Sequence, residues 1–264
     1  MRMSTAKELL QENGIEVNQT TVLKNGRELD ALTIGSGDIR PTVYEDSLVN
    51  IHNIDEMMQF ANAVTERTPV CDIKTVFTKE YFLQHVKSCV RPQMDDNSTL
   101  TFSVYGDLEE YFRVYLDGFH DGTVASVVVL KSHIRQLDID AEELRDAARK
   151  NLKASVQILP MSQVLAGFMG SDDFVPDVDE LMYVASNKDK MYGASVMLLD
   201  DVLCDFCKEH GVDHLNIIGS SIHEVLLIKD NIDPNELNNL IKEVNASTVS
   251  EVDQLSDHFY EFYV

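Results

Sequence analysis

Ser221 and His223 stand two residues apart in the run Ser220-Ser221-Ile222-His223-Glu224-Val225. A hydroxyl and an imidazole on one face could form a nucleophile and its base. In an extended segment alternate residues share a face, which groups Ser221 and His223 with Val225 and Leu227 and turns Glu224 away. Asp257 and His258 are the further acid and base that such a hydrolase could draw on. No Gly-x-Ser-x-Gly elbow surrounds Ser221. A half-buried strand carrying a satisfied histidine accounts for the same residues. His223-Glu224 also opens like the zinc signature His-Glu-x-x-His, but residue 227 is Leu.

Cys204-x2-Cys207-x2-His210-x3-His214 is the metal-like spacing of the chain. Zinc takes four thiolate or imidazole ligands converging as a tetrahedron. Cys204, Cys207 and His210 are each one helical turn apart, but His214 follows Gly211 and would have to fold back. The other reading makes the cysteines small buried side chains on an amphipathic helix with Val202, Leu203 and Phe206. As a redox pair they sit mid-helix, away from the helix N-terminus that stabilises a thiolate. Asp172, Asp173, Asp177, Asp179 and Glu180 crowd around Pro176 and could offer oxygens to calcium. They lack the EF-hand order and read by default as a solvated loop. No Walker loop and no Gly-x-Gly-x-x-Gly is present, so no cofactor is expected.

Charge dominates the composition. Forty-five acidic residues face 22 basic ones, for a formal net charge of −23 over 264 residues. Such a surface repels nucleic acid and draws basic proteins. Basic clusters are not evident, so direct contact with a phosphate backbone is not expected. The charge is spread. Asp138, Asp140, Glu142, Glu143 and Asp146 crowd one helix start, and Glu251, Asp253, Asp257 and Glu261 lie near the C-terminus. The 44% hydrophobic content, with 11 Phe and 9 Tyr, suffices for a folded core. Met1 to Asn13 has no apolar signal region, and Val124–Leu130 is far too short to span a bilayer. A soluble cytoplasmic protein with free thiols at Cys71, Cys89, Cys204 and Cys207 is expected.

The elements that position these residues read as α+β, in two lobes (1–170 and 171–264). Ser4 is the expected cap of a short helix ending at Gly14. Val17–Lys24 and Arg27–Ile34 flank Asn25-Gly26, a type I′ hairpin signal, and Ile39–Tyr44 reads as a third strand. Asn53 caps a helix with Ile54, Met57, Met58, Ala61 and Val64 on one face, ending at Pro69. A second helix is expected from Thr78 to just before Pro92. Thr99–Tyr105, Glu110–Leu116 and Thr123–Leu130 read as a meander. Asp140–Ala154 is a helix capped by Asp140, with Glu143 at the capping-box position. Leu181–Ser186, His214–Gly219 and His223–Lys229 read as strands. Tyr192–Leu198 is an apolar element. Asp200–His210 is a helix closed by Gly211, and Asp233 caps Pro234–Val244.

Several local runs together resemble one family. They are Lys24-Asn25-Gly26 leading into Leu29–Ile34, Ile39–Tyr44, Tyr183–Lys188 with Tyr192-Gly193-Ala194, Ser220–Val225 and Leu255–His258. Their order resembles an uncharacterised bacterial domain of unknown function numbered 5688, frequent in anaerobic gut Firmicutes and often on mobile elements. The resemblance spans roughly residues 17 to 260 and brings no known activity. It singles out Asn187, Tyr192, Ser221, His223, Glu224, Asp257 and His258 as places for a shared site. Charge and resemblance together suggest a non-enzymatic protein engaging a basic partner, such as a nuclease, by imitating nucleic acid in the manner of an anti-CRISPR inhibitor. The alternatives are the Ser/His hydrolase and an acidic housekeeping protein.

Overall fold

The structure, a computed structural model, describes residues 1–24, 27–36, 40–68, 73–117, 125–169, 180–229 and 233–264. The mixed helices and antiparallel strands confirm an α+β fold. Two compact units are formed: Met1–Phe82 with Tyr115–Val127, and Leu83–Val114 with Val128–Val264. The expected division at residue 170 falls outside the described residues.

The first unit opens with helix α1 (Met3–Glu12) and strands β1 (Val17–Lys24), β2 (Arg27–Ile34) and β3 (Thr42–Tyr44). β1 and β2 pair from Val17↔Ile34 to Lys24↔Arg27, the register of a two-residue hairpin. Asn25 and Gly26, which sequence assigns to its turn, lie outside the described residues, as does Ile39. α1 starts at Met3 with no side-chain cap, so Ser4 is inside the first turn rather than capping it. Helix α2 (Ile54–Glu66) is capped as expected. Asn53 Oδ1 accepts the Glu56 N–H at 2.9 Å, and the Glu56 carboxylate accepts the His52 N–H at 2.7 Å. Met3, Leu10, Leu32, Ile34, Leu48, Met57 and Ala61 close the core of this unit. Short helices α3 (Ile73–Val76) and α4 (Lys79–His85) follow.

Strand β4 (Val86–Pro92) corrects the helix expected up to Pro92. The run contains Val86 and Val90, and it pairs with β6 (Leu108–Leu116) from Val86↔Val114 to Pro92↔Leu108. Burial between neighbours overrides the local helical reading, and Pro92 sits at the strand end, where its missing N–H is tolerated. β5 (Thr101–Val104) pairs with β6 on the other side. Their turn runs through Tyr105 and Gly106, both left-handed at φ 52° and 85°. The Tyr105 hydroxyl donates to Met197 O at 2.5 Å and its ring lies 5.1 Å from Tyr260, which offsets the unusual backbone. β7 (Ala125–Val128) and helix α5 (Lys131–Gln136) lead into helix α6 (Ala141–Lys153). Asp140 caps α6 by accepting the N–H groups of Glu142 and Glu143.

β8 (Val156–Pro160), helix α7 (Met161–Met169), β9 (Met182–Asn187), helix α8 (Asp200–His210), β10 (His214–Ile218), β11 (Val225–Ile228), helix α9 (Pro234–Ser247) and β12 (Phe259–Tyr263) complete the second unit. β8–β12 form an antiparallel sheet in the order β12-β10-β11-β9-β8. Gly211 closes α8 at φ 67°, and the Asp233 side chain caps α9. The core gathers Leu108, Tyr183, Leu203, Phe206, Cys207, Leu215, Ile217 and Leu227 around a 3₁₀ turn at Gly193–Leu198. Among the described residues no helix is long and apolar enough to cross a membrane. Cys89, Cys204 and Cys207 are free thiols; Cys71 lies outside the described residues.

Glu110, on β6, is fully buried. Arg145 Nε donates to it at 2.9 Å, Arg149 Nη2 at 2.8 Å and the Ser88 hydroxyl at 2.8 Å. Burial pushes its carboxyl up, but the bonds and charge of Arg149, Ser88 and Arg145 outweigh burial and hold it below the usual range. A carboxylate with a lower pKa folded than unfolded contributes stability above its unfolded value of about 4.3. That contribution fades as pH falls through the folded value. Glu110→Gln is therefore expected to cost about 3 kcal/mol at pH 7, as breaking a buried pair does. Its urea midpoint should also vary less than that of the parent between about pH 5 and pH 3. Parallel pH curves for the two proteins would show that the carboxyl takes up its proton at the same pH folded and unfolded, which would overturn the depressed value.

Candidate functional site

The loop after β9 is built by its own side chains. Asn187, 1% exposed, donates from Nδ2 to Met191 O at 2.8 Å and accepts the Met191 N–H at 3.3 Å. Lys190 and Tyr192 are left-handed at φ 53° and 56°. A non-glycine residue adopts this conformation only when its surroundings dictate it. Tyr192 is held by four contacts. Its N–H donates to His223 Nδ1 at 3.3 Å, and its carbonyl accepts the Ser195 hydroxyl at 2.8 Å. Its ring lies 5.8 Å from the His223 ring, and the Arg113 guanidinium sits 4.6 Å over its face.

His223 stands opposite. The Ser186 hydroxyl donates to its carbonyl at 2.8 Å. Nδ1 receives the Tyr192 N–H, so the ring proton belongs on Nε2, which lies 3.5 Å from Asp253 Oδ1. The result is a half-buried imidazole–carboxylate pair beside a tyrosine under an arginine. It can present an oriented imidazole and a guanidinium to a ligand. Gly193 makes the closeness possible: a Cβ there would stand 2.1 Å from Ser186 Oγ, 2.5 Å from His223 O and 2.8 Å from Asn187 N.

A family model described as "Family of unknown function (DUF5688)" matches residues 3–263. The chain belongs to that family. No curated protein and no solved structure matches it.

In this DUF5688 chain β11 begins at Val225, so His223 and Glu224 occupy the preceding turn rather than a strand. The alternation that would align Ser221 with the imidazole does not apply. Ser221 Oγ instead accepts the His223 backbone N–H at 3.0 Å. Among the described residues no hydrogen bond links the Ser221 hydroxyl to the ring. Glu224 is half-buried. Asp257 and His258 belong to a second group. His258 Nδ1 is 3.1 Å from both Ser256 Oγ and Asp257 Oδ1, and Nε2 is 3.6 Å from Asp107 Oδ2. The Tyr260 hydroxyl donates to Asp107 at 3.0 Å. The bond to His258 holds the Asp257 carboxyl below its usual range.

The metal-like residues separate. Cys207 is buried with Leu203 and Phe206, and Cys204 is half-buried. His210 packs 4.3 Å from the Phe206 ring and 4.8 Å from Tyr183. His214 lies on β10 and stacks on Tyr263 at 5.8 Å. Among the described residues no three His, Cys, Asp or Glu side chains group as a metal site would require. Of the acidic run, Asp172, Asp173, Asp177 and Asp179 lie outside the described residues. Glu180 accepts both the Ser162 N–H, at 2.7 Å, and the Ser162 hydroxyl. Asp138, Asp140, Glu142 and Glu143 are exposed at the start of α6.

Sequence reasoning names Asn187, Tyr192, Ser221 and His223, and the structure brings them together. It misses Arg113 and Asp107, which come from distant elements, and it gives no site role to Ser186, inside the run Tyr183–Lys188, or to Asp253, one of the C-terminal acids. The crowding at Gly193 predicts the outcome of one substitution. Gly193→Ala should cost about 3 kcal/mol, the upper range for forcing atoms into filled space. It should also shift the His223 imidazole resonances in NMR spectra. Gly106→Ala has open space around its Cβ and only a positive φ to oppose it, so about 1 kcal/mol is expected. Equal losses in denaturation midpoints would remove the packing argument.

Proposed function

We propose that the protein is a non-enzymatic binding protein whose acidic surface engages a basic partner. Its sharper form is an inhibitor that imitates nucleic acid in the channel of a nuclease or another defence protein, in the manner of an anti-CRISPR. The observation that carries the reading is the outer face of α8. Asp201, Asp205 and Glu209 follow one another at four-residue intervals, all exposed, while Leu203, Phe206 and Cys207 turn into the core. The stripe is tied to α6 by the Lys153–Asp201 ion pair at 2.5 Å. Asp146 on α6 and Asp200 on α8 both act on Arg149, so acids from the two helices adjoin. Asp213, beyond Gly211, adds a further acid whose side chain is 99% exposed.

Magnitude decides how far the imitation can go. Acids every four helical residues are about 6 Å apart along the axis. Duplex DNA carries a charge about every 1.7 Å. One stripe is too sparse to stand in for a duplex, so the mimic form needs the acids of α6 as well. The hydrolase alternative draws no support from the bonds that Ser221 and His223 make. An acidic housekeeping protein remains the competing description, and it requires that no face be special.

The test uses the full chain and a fluorescent oligolysine peptide, followed by anisotropy across a salt series. Reversing Asp201, Asp205 and Glu209 to Lys should weaken binding by about tenfold and flatten its salt dependence. Reversing Glu45, Asp46 and Asp55 should weaken it by less than about threefold, since only overall charge changes. Equal losses from the two triple variants would return the surface to undirected solubility charge.

A further inference from the structure

Lys131 and Arg135 occupy positions i and i+4 of α5. With Asn97, Ser98, Ser132 and Ile134 they line an open concavity of about 530 Å³. That size falls within the range of small-molecule sites. Some cations of this unit find carboxylates, whereas Lys150, Lys188, Lys190 and Lys242 form no ion pair among the described residues. Lys87 pairs with Asp189, Arg91 with Glu109, Arg149 with Glu110, and Lys208 with Asp205. Among the described residues neither Lys131 nor Arg135 forms an ion pair. Lys131 and Arg135 share one concave wall, where together they can meet an anion from outside.

The wall is also arranged. Arg135 Nε donates to Lys131 O at 3.1 Å, which folds the arginine back along its own helix. Both terminal nitrogens are left to act as a fork toward two oxygens. The Lys131 N–H donates to Ser98 O at 2.9 Å, fastening α5 to the Asn97-Ser98 loop. Of the two carboxylates of that loop, Asp95 is exposed and Asp96 is already engaged. It accepts the Ser98 N–H at 2.9 Å, the Ser98 hydroxyl at 2.6 Å and the Thr99 hydroxyl, and it lies 3.6 Å from Arg91. Ser132 and Asn97 add exposed polar side chains, and Ile134 adds an apolar surface.

We propose that this concavity binds a small phosphate monoester, with the phosphate held between the Arg135 fork and the Lys131 ammonium and the organic part lying toward Ile134. A dianion matches two cations, whereas a carboxylate is satisfied by the arginine alone. The space exceeds what one phosphate group fills, which favours an ester over the free ion. A nucleic-acid backbone is disfavoured by the net charge of −23, whereas a small dianion is screened from all but nearby charges at physiological salt.

Isothermal titration of the full chain with phenyl phosphate, inorganic phosphate and benzoate separates the cases. Phenyl phosphate is expected to bind with a millimolar or lower Kd, and benzoate at least about tenfold more weakly. Lys131→Met and Arg135→Ala should each weaken phenyl phosphate by about tenfold. Arg135→Lys, which keeps the charge and loses the fork, should weaken it several-fold. Lys208→Met should leave it within about twofold. Unchanged circular dichroism guards against misfolding at these surface positions. Absence of binding, equal affinity for benzoate, or an equal loss in Lys208→Met would overturn the site. Inorganic phosphate binding as tightly as the ester would overturn the ester and leave a free-anion site.

Discussion

A carboxylate with no access to water governs the second unit. Glu110 lies in the middle strand of β4-β6-β5, and an unpaired charge there would be costly. Arg145 and Arg149, one turn apart on α6, both reach it, and the Ser88 hydroxyl comes from the neighbouring strand. Helix and sheet can dock in only one register without stranding a charge. The same docking sets the direction of α6. Leu144, Ala148 and Leu152 face the core, and the acids of its first turn face solvent. The acidic exterior and the paired interior are thus two sides of one constraint.

Much of this was legible in the chain, where local chemistry decides local structure. Asn53, Asp140 and Asp233 cap helices because a short polar side chain can meet the unpaired N–H groups of a first turn. The β1–β2 register followed from two β-prone runs separated by two residues. What was not legible depends on partners far along the chain. Residues 86–92 become a strand because β6 is there to pair with them. The turn at His223 takes its shape from Ser186, Tyr192 and Asp253, none of which is close in sequence. The resemblance singles out Tyr192, but its left-handed backbone and the contacts that hold it depend on residues far along the chain.

The two surfaces of interest differ in kind. The α8 stripe depends on many weak, screened charges, so its influence extends over a distance and fades with salt. The Lys131–Arg135 wall depends on the directions of a few donors, so it acts only on contact. A protein can carry both without conflict, because a net negative field hinders large polyanions far more than a single small one.

Cys89 adds a consequence for handling. It is fully buried on β4, and burial pushes its thiol up to about 12. Burial likewise raises Cys207. The thiolate is the reactive form, so at neutral pH these two sulfurs resist alkylation and exchange while the fold is intact. Labelling of these two sulfurs by a thiol reagent would therefore report the opening of this core.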